Sequence, residues 1–165
     1  MSDMNASFIK SAATGFLIGY AVSTLLMKLL TYFGVEYLLS QGVPQDGLAR
    51  SMQSSLYIQM TAVLLITLPC EVLAGYVGAA GAREKPILAA LSTSAMIYAY
   101  LSLNYLMFSD LSPPSLRPEW LKFVSYLCPV PACLVGAIIF LRKRDRVAEN
   151  SLNKSVQPIA DATDD

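Results

Sequence analysis

The chain has 165 residues, 55% of them hydrophobic and only 15% charged, against a charged share of about 25% in ordinary soluble domains. Twelve basic residues balance twelve acidic ones, so no net field draws nucleic acid. The sequence contains no histidine, which removes Ser–His and Cys–His nucleophile pairs, His-liganded zinc and a histidine pH switch.

Taken in chain order, the charges divide the sequence into four apolar stretches. Lys10 and Lys28 bracket seventeen uncharged residues, Ser11 to Met27, and predict a first span over about 8–33. No small-x-small cleavage site with a polar mature start follows its early lysine, so this span is expected to be retained. Gly42, Pro44 and Gly47 then supply turn chemistry. A second span, 55–81, carries Glu71 as its only charge. The segment Ala82-Arg83-Glu84-Lys85 leads directly into a third span, 86–109, so the two form an antiparallel hairpin with Pro86 in the first turn of the third helix. Pro113, Pro114 and Pro118 stop that helix, and a fourth span follows over 119–141. Each stretch approaches the 20 or so residues that cross a hydrocarbon layer of about 30 Å.

The expected fold class is all-α: a polytopic integral membrane protein, with residues 1–146 forming a bundle of four transmembrane helices. Residues 147–165 are polar, with one basic and four acidic side chains after Arg146, and are expected to form a disordered tail. Four spans put both termini on one side, with Lys10, Arg83, Lys85, Arg142, Lys143, Arg144, Arg146 and Lys154. Arg50, Arg117 and Lys122 fall on the other, and Lys28 near its edge. Eight against three predicts cytoplasmic termini in a plasma membrane or bacterial inner membrane. Tyr32, Phe33, Tyr37, Tyr57 and Trp120 gather near the outer boundary, as an interfacial belt does. The Asn5 and Asn153 sequons lie on the cytoplasmic side and are expected to stay unglycosylated.

In lipid, small residues that admit close backbone approach do much of the helix packing. Ser11, Gly15, Gly19 and Ser23 form one such stripe, and Gly75 and Gly78 lie toward the cytoplasmic end of the second span. Gly15 and Gly19 suit either a homodimer face or an internal contact of helix one with helix two; internal packing is preferred, because such motifs arise often by chance. Pro69 lies fourteen residues before Arg83 and Pro129 thirteen before Arg142, so helices two and four are expected to kink at matching depth, with Pro131 adding to the second kink. Paired interrupted helices point toward transporter sites near the midplane.

Glu71 lies twelve residues before Arg83, about 18 Å along a helix and so near the midplane. An unpaired charge there costs about 2.5–3.5 kcal/mol or more, so the acid is expected to be protonated, or paired and turned inward. It shares a helical face with Thr67, Gly75 and Gly78. Tyr20 and Ser23 on the first span and Ser94 and Tyr98 on the third reach its level, together with Thr24 and Tyr100. A Glu71–Lys28 ion pair is the less favoured arrangement. Cys70, Cys128 and Cys133 lie at neighbouring depths, but Cys128 and Cys133 are about 140° apart on a straight helix, so they read as apolar filler rather than a copper(I) site. No metal, cofactor or nucleic-acid partner is expected. The cluster Arg142, Lys143, Arg144 and Arg146 fixes topology and is a candidate contact for anionic lipid.

The hairpin from Gly75 to Pro86 resembles hairpins of small four-span bacterial membrane proteins, a likeness from which no activity is carried over. Without a positioned base and nucleophile, the expected function is non-enzymatic. The leading reading is a multi-pass protein acting through helix–helix contacts, as a subunit, assembly factor or protective partner of a membrane complex. Its competitor is an oligomeric transporter or channel for protons or cations that uses Glu71 and dimerises through Gly15 and Gly19.

Overall fold

A computed structural model describes residues 2–82, 84–108 and 119–160. Arg83, the loop with Pro113, Pro114, Arg117 and Pro118, and residues 161–165 lie outside the described residues. All regular structure among the described residues is helical. The order is α1 (Ser2–Ser40), a 3-10 turn (Gln45–Gly47), α2 (Leu48–Ser54), α3 (Leu56–Thr61), a π turn (Ala62–Thr67), α4 (Leu68–Gly81), α5 (Pro86–Phe108), α6 (Glu119–Leu127) and α7 (Pro129–Ala160). Three helical segments are long and apolar enough to cross a membrane: Ser7–Ser40, Leu56–Gly81 and Pro86–Asn104. The fourth apolar stretch is divided at Cys128 between α6 and α7.

α1 outlasts its expected span by seven residues, ending at Ser40 rather than near 33. Nothing from Gly34 to Ser40 breaks the helix once it is running. It stops in a Schellman motif at Gly42, the one residue with positive φ (+78°) among those described. There the Gly42 amide donates to the Leu39 carbonyl at 3.0 Å and the Val43 amide to that of Leu38 at 3.1 Å.

α7 also differs from expectation, since residues 147–160 continue it as helix instead of forming a disordered tail. A helix already nucleated in an apolar segment extends at little cost through residues such as Ala148, Glu149, Leu152 and Lys154, whose helix propensities are favourable. Between α4 and α5, Pro86 takes the first helical position, and the Lys85 carbonyl accepts from the Ala89 amide at 3.1 Å.

α4 is the hub, packed on α1 along one side, on α7 along another and on α5. These contacts are built from small residues: Ala12, Ala74, Ala79, Ala89, Ala90, Ala132, Cys133 and Ala137 are all buried. A methyl group on Gly19 would come within 2.6 Å of the Ala74 Cβ, and one on Gly15 would meet the Ala74 carbonyl and the Gly78 amide. On the α7 side, Gly75 lies against the Cys133 backbone, and Gly136 against the Val72 carbonyl and the Tyr76 amide. Tyr76 and Phe140 close this contact edge to face, 5.9 Å between ring centres. Thr93 ties α5 to α1, its hydroxyl within hydrogen-bonding distance of the carbonyls of Ala89 (2.9 Å) and Ala12 (3.3 Å).

Gly136 leaves no space for even one methyl group, so Gly136→Ala is expected to lose about 1–3 kcal/mol through overpacking. Gly47→Ala, whose added methyl would meet only ordinary contacts at 3.7 Å and beyond, should stay within about 0.5 kcal/mol of the parent. Unfolding of both variants by sodium dodecyl sulfate, titrated in mixed micelles, measures the difference.

Candidate functional site

Two irregularities in the helices frame Glu71. The first is the π turn Ala62–Thr67, immediately before Pro69. In an unbroken α register the Pro69 ring would clash with the Leu65 carbonyl four residues earlier, and the wider turn relieves this. The Leu68 amide accordingly reaches back five residues to the Val63 carbonyl, and the Thr67 hydroxyl donates to that of Ala62 at 3.0 Å.

The second irregularity is the interruption at Cys128. Pro129 and Pro131 have no N–H, so the carbonyls of Ser125 and Leu127 lack their α-helical donors. The chain is carried across by two hydrogen bonds of 3.0 Å, from the Cys128 amide to the Val124 carbonyl and from the Ala132 amide to the Cys128 carbonyl. Tyr98 of α5 donates its hydroxyl to the Tyr126 carbonyl at 2.5 Å, just before the interruption.

Glu71 sits between these features, 5% exposed. Its backbone carbonyl accepts from the Cys133 thiol of α7 at 3.4 Å. Its carboxyl oxygen Oε2 is enclosed and has no hydrogen-bond partner among the described residues. Tyr98, Cys128 and Cys133 lie within electrostatic reach of the carboxyl. No lysine or arginine among the described residues pairs with it; the Lys28 side chain is exposed.

The other candidate residues have separate partners. Tyr20 accepts from the Tyr100 hydroxyl at 3.1 Å, in an aromatic cluster with Phe16 on the α1–α5 contact. Ser23 interacts with the Cys70 thiol. Ser94 is buried and donates to the Leu91 carbonyl at 2.8 Å within its own helix. Thr67 is committed to its π turn. Gly15 and Gly19 lie in the α1–α4 contact, which takes up the face that a homodimer through them would use.

No three metal-ligating side chains come together among the described residues. Arg142, Lys143, Arg144 and Arg146 are exposed along α7, with Arg144 beside Asp145 at 3.7 Å. An open groove of about 680 Å³, lined by Ser7, Lys10, Ser11, Thr14, Val77, Ala80 and Gly81, lies between α1 and α4, away from Glu71. Gly136 and Thr93 were missing from the sequence-derived set. Each ends a pair of small residues four apart, Ala132 with Gly136 and Ala89 with Thr93, which is the spacing that signals close helix approach.

The fold and site define an all-helical chain with three membrane-length helices and a carboxyl enclosed at their packed centre. No family model, curated protein or solved structure matches it.

The Tyr98 hydroxyl is the described side-chain tether beside the interruption. Tyr98→Phe is therefore expected to cost about 0.6–2 kcal/mol, the worth of an interhelical hydrogen bond in a membrane. Chemical unfolding in detergent, compared with the parent, checks it.

Proposed function

We propose that the chain is a four-span protein of a plasma or bacterial inner membrane, with both termini cytoplasmic, that works without catalysis through contacts of its helices. Its role is that of a subunit, assembly factor or protective partner of a larger membrane complex. The fourth crossing is α6 together with the apolar start of α7. The observation that carries this reading is the bareness of α1. Only 6% of its most apolar window is buried, against 50% for Leu56–Gly81.

Leu25, Leu29, Phe33 and Tyr37, spaced four apart, run down an exposed strip of α1. The apolar helical segment of 34 residues is about 51 Å long, some 20 Å more than the hydrocarbon layer. Its outer turns therefore carry large aromatic side chains beyond the lipid tails, where a partner helix gives them cover. The exposed Arg142, Lys143, Arg144 and Arg146 meet anionic headgroups on the cytoplasmic side and hold the orientation. The competing reading, an oligomeric proton- or cation-linked transporter or channel, draws on the buried Glu71. Its dimer face at Gly15 and Gly19 is the surface packed on α4.

Single cysteines in a background with Cys70, Cys128 and Cys133 replaced by alanine test the layout. A membrane-impermeant maleimide should label Asp46→Cys only from outside and Ser151→Cys only from inside; the reverse pattern, or labelling from opposite sides at the two termini, contradicts it. Purification of the tagged chain in mild detergent tests the role. A membrane-protein partner should be recovered with it, and the partner should be lost when Leu29 and Phe33 are both changed to alanine. Recovery as a lone monomer under several detergents contradicts the contact reading.

A further inference from the structure

We infer that Glu71 is a proton-binding site in the membrane interior, and that its protonated state holds α4 against α7. This goes beyond the contact function and holds whether or not a partner is bound. The carboxyl is 5% exposed, and its Oε2 is enclosed without a hydrogen-bond partner among the described residues.

The groups that face it are the Tyr98 phenol from α5, the Cys128 thiol from the interruption between α6 and α7 and the Cys133 thiol from α7, beside Cys70 on its own helix. From α1, Ser23 turns to Cys70, and among its described side chains no titratable or charged one acts on Glu71. None of these groups compensates a negative charge, so the packed arrangement is that of the neutral acid. A sodium or divalent ion would need several oxygen ligands, whereas the side chains around Glu71 offer thiols and a single phenol.

Exchange with water is assigned to the interruption of α6 and α7, where the Ser125 and Leu127 carbonyls lack helical donors and so can bind water within the membrane interior. The same placement couples the proton to packing. Gly75 and Gly136 bring the α4 and α7 backbones into contact one helical turn from Glu71, leaving no space to hydrate a carboxylate. Loss of the proton therefore separates the two helices at that level.

The test uses the full chain in phospholipid vesicles and dicyclohexylcarbodiimide, an apolar reagent that adds a protonated carboxyl across one C=N bond and rearranges to a stable N-acylurea. Peptide mass spectrometry locates the adduct. It should form at Glu71 and not at the exposed acids, and its rate should fall as pH rises and the acid ionises. Thermal stability of the parent should decline as pH rises from the ordinary glutamate range of about 4.3 and level off once the folded site ionises, because the folded state holds a proton that the unfolded state releases. Glu71→Gln, permanently neutral, should form no adduct and keep a flat profile. Absence of the adduct in the folded protein, or a rate independent of pH, would overturn the assignment. So would protection by sodium but not potassium, which marks a cation site, or a Glu71→Gln profile as steep as the parent's.

Discussion

The structure depends on how closely other helix backbones can approach α4. Apolar side chains gain little by leaving lipid for a helix interface, so association rests on van der Waals contact and on the few hydrogen bonds that cross between helices. α4 meets this condition on two sides at once. Gly15 and Gly19 of α1 seat on Ala74 and Gly78, while Gly75 and Gly136 bring α7 onto the segment from Val72 to Tyr76. Flanked in this way, the helix turns its one acidic residue inward. The burial of Glu71 follows from the glycines around it.

The prolines matter through the same helix pair. Pro69 sets a π turn that ends at Thr67, four residues before Glu71, and Pro129 and Pro131 interrupt the backbone where α6 gives way to α7. Both features return polar backbone groups to an otherwise saturated interior. The Tyr98 hydroxyl takes up one carbonyl at the second of them. Close packing toward the Gly81 end of α4 thus meets irregular backbone toward its other end, and Glu71 lies on the border between them.

Much of this was legible in the sequence, for identifiable reasons. Charges cannot enter the hydrocarbon cheaply, so Lys10, Lys28, Lys85 and Arg142 bracket apolar segments; the helical stretches Leu56–Gly81 and Pro86–Phe108 lie close to the spans drawn from them. Charges mark lipid, however, and not helix ends. α1 therefore runs on to the Gly42 cap, and α7 continues through polar residues to Ala160. Rotation about a helix was only partly legible. Of Tyr20, Ser23, Ser94 and Tyr98, chosen by depth as neighbours of Glu71, Tyr98 comes within its reach, while Tyr20 turns to Tyr100 and Ser94 to its own helix. The α7 face that receives α4 went unread, since the Ala132–Gly136 pair is short and stands beside conspicuous prolines.

The most direct test of α4 as the hub is a thiol cross-link across its contact with α7. Tyr76 and Phe140 face each other at 5.9 Å between ring centres. Tyr76→Cys and Phe140→Cys, combined in a chain whose native cysteines are replaced by alanine, should be joined within one chain in native membranes by a short bifunctional thiol reagent that bridges the space the two rings fill. Failure to cross-link although both thiols are labelled singly, or a link formed only between two chains, would mean that α7 does not pack on α4 within one molecule, and the enclosure of Glu71 would fall with it.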